Sequence, residues 1–404
     1  MRQSVNSKSM QKNNVSAVLN LIYGNDGISR KEIAARTGLT PASVTNIVNH
    51  LMQYDYLRES DAKSARGEGA AEPECANGLG RRPVALHVNR RRYFVVGIEL
   101  SADTLAAVVT DFCGHVLARG EAANRSDNTP EEAVSLAWDL AERLLGEAGA
   151  DRAKVLGVGL TSSGPYDRES GTLLDPPNFH GAAWKSAPVR ALLEARSRYP
   201  VYFDRDSIGC ALAELGGQPL GDDGTLFAIM VNTVGIGGGL LIGSEVHYGL
   251  HNSAAEIGHL TVVPDGPLCG CGDRGCLEAV SSGAAVARAL SETVGAPVTV
   301  PELIRRYRAG DAPAVEAVRY GAKCLGVAIG NVNKCVGPDC IALGGRFISA
   351  FPEYYGLVES CARARRYIEM PTGTRIVPFT HGESQSAVGA VRLVIQSFFK
   401  SLTA

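Results

Sequence analysis

Apolar positions in the first sixty residues recur at helical spacing. Val15, Val18, Leu19 and Ile22 share one face, and the segment Gly24 to Gly27 ends that helix. Ser29 followed by Glu32 predicts a capping box opening a second helix, with Ile33 and Ala34 inward and Gly38 closing it. Thr40 before Pro41 supplies an N-cap and a proline at the first position of a third helix. The apolar face of that helix is Val44, Ile47, Val48, Leu51 and Met52. Its other face, Ser43, Thr45, Asn46, Asn49 and His50, is short, polar and uncharged. Strand character follows at Tyr56 and Leu57. It breaks over the Gly/Ala/Glu-rich stretch Asp61 to Gly78 and returns in GLGRRPVALHV. Helix, glycine turn, helix and hairpin together read as a winged helix-turn-helix over residues 1–60, with wing and linker over 61–92. Ser43, Thr45, Asn46 and Asn49 are placed to reach base edges, and Arg81 and Arg82 at the wing to meet phosphate.

From Tyr93 the pattern becomes strands and helices in alternation. YFVVGIEL, LAAVVTDF and HVLARGEA are three apolar strands with short polar breaks, EEAVSLAWDLAERLLGEAG is an amphipathic helix, and KVLGVGLTSS is a strand again. TLFAIMVNTVGIGGGLLIGSEVHYG repeats the strand hairpin, so the body is expected to be α/β with two similar halves. The glycines Gly235, Gly237, Gly238 and Gly239 serve either a ligand loop or only a tight turn. The segment has no GK[ST] and continues as a strand, so it is neither a P-loop nor a dinucleotide fingerprint.

Composition adds three points. At 45% apolar and 20% charged residues, the 404-residue chain has enough for a substantial core. Residues 1–92 carry 14 Lys and Arg against 8 Asp and Glu, a balance of +6 in a chain of net charge −2; a basic front on an acidic body points the front toward a polyanion. Without a leader or an apolar run of membrane length, the chain is expected to be cytoplasmic, so its ten cysteines are read as buried, metal-bound or catalytic rather than disulfide-paired. Cys75, in the polar stretch, is read as incidental.

HLTVVPDGPLCGCGDRGCLE, His259 to Glu278, concentrates the chemistry. His259, Cys269, Cys271 and Cys276 form H-x9-C-x-C-x4-C, with Gly270, Gly272 and Gly275 allowing the chain to fold back. One imidazole and three thiolates suit a structural, tetrahedral Zn2+ with no open position. Glu256 and Glu278 flank the loop and, with the free nitrogen of His259, offer partners to sugar hydroxyls.

These residues resemble the ROK family of repressors, open reading frames and kinases. EIGH followed by C-x-C-G-x-x-G-C-L-E is similar to the family's zinc signature, VGIGGGLLI to its second phosphate hairpin, IALGGRFIS to its adenosine-side glycine motif, and SAVGAVRLVI to its closing helix. The front, including GRRP, is similar to the winged helix of the family's xylose and N-acetylglucosamine repressor group. The resemblance covers residues 13–400 and implies an actin-like, ribonuclease-H-like fold. One lobe spans 93–204, completed by 384–404, and a second, with the zinc loop, spans 205–383. It implies homodimers or tetramers and a sugar site of Asn178, Arg205, Asp206, Glu256, His259 and Glu278. Asp206 matches the general base of family kinases. Arg205 departs from the usual Asn, and pairs either with an anionic ligand such as a sugar phosphate or with Asp204.

The first phosphate hairpin also departs. D-x-G-G-T is expected, and Glu99, Ser101, Ala102 and Asp103 stand there. A carboxylate beside a triphosphate opposes binding, and Asp206 is left as a base without a positioned donor. The expectation is a sugar-responsive repressor of carbohydrate-utilisation genes, xylose metabolism included. It binds operator DNA and a sugar or sugar phosphate, and has lost catalysis. An ATP-dependent sugar kinase carrying a DNA-binding domain, or a module recruited by a transport-system protein, are the alternatives.

Overall fold

A computed structural model describes residues 7–60, 84–215, 217–218, 220, 223–364 and 373–402. Arg81, Arg82, Cys75 and the stretch Asp61 to Gly78 lie outside the described residues. No helix among the described residues is long and apolar enough to cross a membrane.

The front consists of α1 (Ser7–Gly24), β1 (Ile28–Ser29), α2 (Arg30–Thr37), α3 (Pro41–Gln53), β2 (Leu57–Ser60) and β3 (Ala85–Val88). The local signals act as the sequence predicts. Ser29 caps α2 while Glu32 accepts from the Ser29 amide at 2.9 Å, and Gly38 ends that helix in the left-handed region at φ 68°. Thr40 Oγ1 accepts from the Ser43 amide at 3.2 Å, starting α3. β3 pairs antiparallel with both β1 and β2, closing a small winged-helix sheet. Val18, Leu19, Ile22, Ile33, Val44, Val48 and Leu51 are buried, so the periodic faces are the core.

The first lobe contains β4 (Phe94–Leu100), β5 (Thr104–Asp111), β6 (Val116–Ala123), α4 (Pro130–Glu147), β7 (Val155–Ser162), the short hairpin β8 (Tyr166–Asp167) and β9 (Thr172–Leu173), α5 (Val189–Ser197) and β10 (Val201–Arg205). After α6 (Asp206–Ala213), the second lobe contains β11 (Thr225–Val231), β12 (Ile236–Ile242), β13 (Glu245–Val246), α7 (Leu277–Ser281), α8 (Gly283–Val294), α9 (Val300–Arg308), α10 (Ala312–Cys335), β14 (Cys340–Gly344), α11 (Arg346–Ser349), α12 (Tyr354–Arg363) and β15 (Arg375–Pro378). The sheets run β10-β7-β4-β5-β6 and β15-β14-β11-β12-β13. Each is an antiparallel three-strand meander extended by two parallel strands. The two similar halves expected from the sequence are therefore one topology used twice.

The closing helix α13 (Gln385–Ser401) returns to the first lobe. It lies so close to β4 and β7 that a Cβ on Gly97 or Gly159 would stand 2.0 or 1.9 Å from an α13 carbonyl oxygen. Leu19, Ile22 and Tyr56 of the winged helix join Val95, Val108, Phe112, Val391 and Phe399 in one apolar cluster. The winged helix is thus seated on the first lobe and α13 through shared core.

Candidate functional site

The loop between β13 and α7 brings its four metal-type side chains together. The ligand atoms of His259, Cys269, Cys271 and Cys276 all lie within 4.8 Å of one another. Cys269 Sγ is 3.7 Å from His259 Nδ1, and Cys271 Sγ is 3.7 Å from Cys276 Sγ. A tetrahedral zinc with bonds of about 2.3 Å to sulfur and about 2.05 Å to nitrogen sets S···S near ~3.8 Å and S···N near ~3.6 Å, so the cluster has the dimensions of a zinc site. Gly275 makes this fold possible: its φ is +72°, and a Cβ there would stand 1.6 Å from the Val263 carbonyl oxygen. Gly272 is also left-handed, at φ +99°, whereas Gly270 has open space around it and is not required by the turn.

The same loop presents carboxylates. Glu256 is exposed just before the turn Ile257–His259, and Glu278 lies half-buried at the start of α7. Glu278 Oε2 accepts from the Ile236 amide at 3.1 Å, and burial raises its carboxyl above the ordinary range. The glycine-rich strand β12 leans on this region. A Cβ on Gly238 would stand 2.2 Å from the Ala255 carbonyl oxygen, and one on Gly239 would stand 2.4 Å from that of Ser207. These two glycines serve close packing of β12 against its neighbours.

Arg205 excludes one of the two alternatives its sequence position left open. Its guanidinium does not pair with Asp204; it forms an ion pair with Glu256 and donates to the Ala254 carbonyl oxygen at 3.3 Å. The reason is strand geometry: Asp204 and Arg205 are consecutive in β10, so their side chains point to opposite faces. Asp204 is buried and accepts from the Tyr166 hydroxyl at 2.6 Å and the Tyr248 hydroxyl at 2.7 Å, with Arg168 at 3.7 Å. The sequence carried no signal for this Asp204–tyrosine–arginine group, because its members lie on β8, the loop after it, β10 and the loop after β13.

Asp206 is buried at the first position of α6 and accepts from the Ser207 amide at 2.7 Å. Burial pushes its carboxyl up to about 6. Asn178 is half-buried in the loop after β9; among the described residues no hydrogen bond joins it to Arg205, Glu256 or Glu278.

Charged groups also gather around the departed first hairpin, near Asp206. Glu99, at the departed first hairpin, is buried and accepts from the Ser101 hydroxyl at 3.2 Å. Burial, then the Asp206 carboxylate, raise it to about 8. Arg346, at the start of α11, donates to Glu121 of β6 at 3.1 Å and to Glu383 at 3.0 Å, while its amide donates to Asn232 Oδ1 at 3.1 Å. Glu99, Asn232, Arg346, Glu383 and Gln385 line a narrow crevice. Asp103 is exposed at the tip of the β4–β5 turn.

On α3, Asn46 and Asn49 are exposed. Thr45 Oγ1 donates to the Pro41 carbonyl oxygen at 2.8 Å, and Ser43 Oγ lies 2.9 Å from Thr40 Oγ1, so these two hydroxyls are partly used by the helix itself. Arg30, on α2, reaches Asn49 Oδ1 at 3.4 Å and forms an ion pair with Glu59. It is a cation beside the polar face that periodicity did not single out.

Residues 12–67 match the MarR family, and residues 95–397 match the ROK family. The chain is 27% identical to the xylose repressor of Caldicellulosiruptor bescii over 342 residues, covering 81% of this chain and 82% of that one. It is 30% identical to the ROK hexokinase of Thermus thermophilus, with a TM-score of 0.62 over 74% of this chain and 97% of that one. A ROK family transcriptional regulator, a homologue of the Escherichia coli MLC protein, superposes over 98% of this chain and 99% of its own with a TM-score of 0.73 at 21% identity, which shows a shared fold. With its repeated sheet topology, its loop of one histidine and three cysteines, and three quarters of its length matched, the chain belongs to the ROK family and carries a MarR-type winged helix at its front.

Proposed function

We propose that the chain is a sugar-responsive, DNA-binding repressor of carbohydrate-utilisation genes that acts in the cytoplasm and no longer phosphorylates sugar. The observation that carries this reading is the set of charges where the first phosphate hairpin departs from the family pattern. Where a kinase needs room and cations for a triphosphate, this chain has a buried Glu99 and an Arg346 already engaged with two carboxylates. The xylose repressor relative supports the same reading.

In this reading the effector is a sugar or sugar phosphate held by Asn178, Arg205, Asp206, Glu256, His259 and Glu278. His259, Cys269, Cys271 and Cys276 hold a structural Zn2+, which clamps the loop. With Nδ1 turned toward the thiols, His259 keeps its other ring nitrogen for a hydroxyl, and the clamp fixes Glu256 and Glu278 on the same short segment. Because the winged helix shares its core with the first lobe, a ligand that closes the lobes re-aims the recognition helices of a homodimer or tetramer. The ligand's differential affinity for the closed state sets the size of that shift.

Ser43, Thr45, Asn46 and Asn49 read bases, with Arg81 and Arg82 on phosphate. Asn49→Ala is expected to weaken binding to a selected operator roughly 5- to 150-fold while leaving binding to scrambled duplex nearly unchanged. Equal loss on both duplexes, measured by fluorescence anisotropy, would count against a base-reading role.

A second reading, an ATP-dependent sugar kinase, is favoured by Asp206, whose carboxyl near 6 suits a proton acceptor, and by the hexokinase relative. A thermal-shift screen separates the readings. Full-length protein is heated with hexoses, pentoses, N-acetylamino sugars and their 6-phosphates, each with and without Mg-ATP. A rise with one sugar and none with ATP supports the repressor; a rise with ATP and product formation supports the kinase. No response to any sugar would move a transport-system protein to the front as the regulating partner.

A further inference from the structure

We propose a second metal site, distinct from the cysteine loop, on the β5–β6 turn where the body meets the winged helix. Asp111, Cys113 and His115 offer ligand atoms that all lie within 4.8 Å of one another. Three different donor types thus converge from alternate positions of one tight turn. Asp111 Oδ1 accepts from the Cys113 amide at 2.8 Å and the His115 amide at 3.0 Å, which fixes the carboxylate in place. Its Oδ2 meets only His115 Nδ1, at 3.1 Å. That is a hydrogen-bond distance, shorter than the ~3.4 Å edge of a tetrahedron with metal–ligand bonds of about 2.1 Å, so an ion would replace this contact.

The Tyr23 hydroxyl, from α1 of the winged helix, lies beside the same turn. It is fully buried and has no hydrogen-bond partner among the described residues. It lies 3.2 Å from where a Cβ on Gly114 would stand. A buried phenol without a partner is costly, and a bound ion or its water would satisfy it. The surroundings carry charges of both signs. Asp26 pairs with Arg90 at 3.4 Å and with His87 at 2.8 Å, and Arg392 lies over the Tyr23 ring at 5.0 Å. The anionic groups nearest the turn are therefore Asp111 itself and an already paired Asp26.

A mixed imidazole, thiolate and carboxylate set selects a borderline divalent ion of the late first-row series, Zn2+ being the member used in the test. Its place gives it a role. Phe112, inside the turn, packs in the cluster shared by the winged helix and the first lobe, and its amide donates to the Arg90 carbonyl oxygen at 3.1 Å. His115 is exposed, so an ion can enter from solvent. A metal here ties the turn that carries Phe112 and stiffens the joint between the DNA-reading unit and the body.

The test uses the full chain, stripped by chelator and reloaded with Zn2+, followed by gel filtration and elemental analysis. Wild type is expected to hold two equivalents, and Cys113→Ser and His115→Ala one each. Cys271→Ala reports separately on the cysteine loop. Reloading is also expected to raise the melting temperature of the Cys271→Ala protein, and to leave the Cys113→Ser/Cys271→Ala double variant unmoved. Equal zinc in wild type and Cys113→Ser, with the fold intact by circular dichroism, overturns the proposal even if the cysteine loop binds as described. One equivalent in wild type that disappears in Cys113→Ser supports it and sinks the loop site instead.

Discussion

Cys271→Ala is expected to remove one equivalent of Zn2+ per chain and to lower the melting temperature by several degrees, the largest single-residue effect on the cleft. Cys271 is exposed, as is His259, and Cys276 is fully buried beside Cys271 at 3.7 Å. Removing one thiolate leaves three donors and an open position, so the ion loses one of its three charged sulfur bonds. Structural zinc contributes on the order of 10 kcal/mol to small metal-folded peptides. Here the loop is also held by strand-like contacts, Leu277 N to Leu260 O at 2.9 Å and Val262 N to Gly275 O at 2.9 Å, so a loss of a few kcal/mol is the reasonable scale.

The same variant should weaken the effector identified by the screen by roughly 10- to 100-fold, because residues that orient a ligand through a metal shell typically act at that level. Glu256 and His259 share one turn, with the His259 amide donating to the Glu256 carbonyl oxygen at 3.1 Å, so a loose imidazole loosens the carboxylate as well. Elemental analysis and titration calorimetry on wild type and variant check both effects. Unchanged metal content in the variant would refute the ligand assignment. Unchanged effector affinity despite lost metal would uncouple the loop from the sugar site.

What was legible in the sequence follows from whether the determining interaction is local. The helices of the winged front were readable because a capping box, a threonine N-cap and a left-handed glycine each act within four residues. The clustering of His259, Cys269, Cys271 and Cys276 was readable because they sit within eighteen residues, with glycines that let the chain fold back. The partner of Arg205 was not. It lies fifty-one positions away on Glu256, and the alternation of side chains along β10 excludes the near neighbour Asp204. Arg346 was visible only as part of a glycine motif, since its meaning depends on Glu121, 225 residues earlier, and on Glu383. The glycines of β12 read equally as a ligand loop or a tight turn, because the backbone that needs the space at Gly238 and Gly239, at Ala255 and Ser207, belongs to other segments.

Glu99→Gln is expected to stabilise the protein at alkaline pH and to flatten its pH profile. Burial raises the Glu99 carboxyl from 4.5 to about 8, and the Asp206 carboxylate pushes in the same direction. The folded protein therefore keeps a proton that the unfolded chain releases. This contribution is complete below about pH 4.5 and is lost as pH rises through about 8. A full shift of this size corresponds to an upper bound of about 5 kcal/mol between the two ends of the window. The Arg346 guanidinium favours the charged form and holds the carboxyl at about 8 rather than higher. Glutamine keeps an oxygen for the Ser101 hydroxyl and adds no charge, so it mimics the protonated acid at every pH. Calorimetric melting from pH 5 to pH 9 is expected to show wild type falling over this range and the variant falling less, with the variant higher at pH 9. A wild-type slope preserved in Glu99→Gln would assign the titration to another group, with Asp206, raised to about 6, next in line. The consequence reaches function: a carboxyl that stays neutral near pH 7 is a poor ligand for Mg2+, whose partners are charged oxygens. A flattened profile in the variant therefore also bears on catalysis, since it implies that the side of the cleft where a kinase would hold its metal and phosphates carries a protonated acid and an internally paired arginine instead.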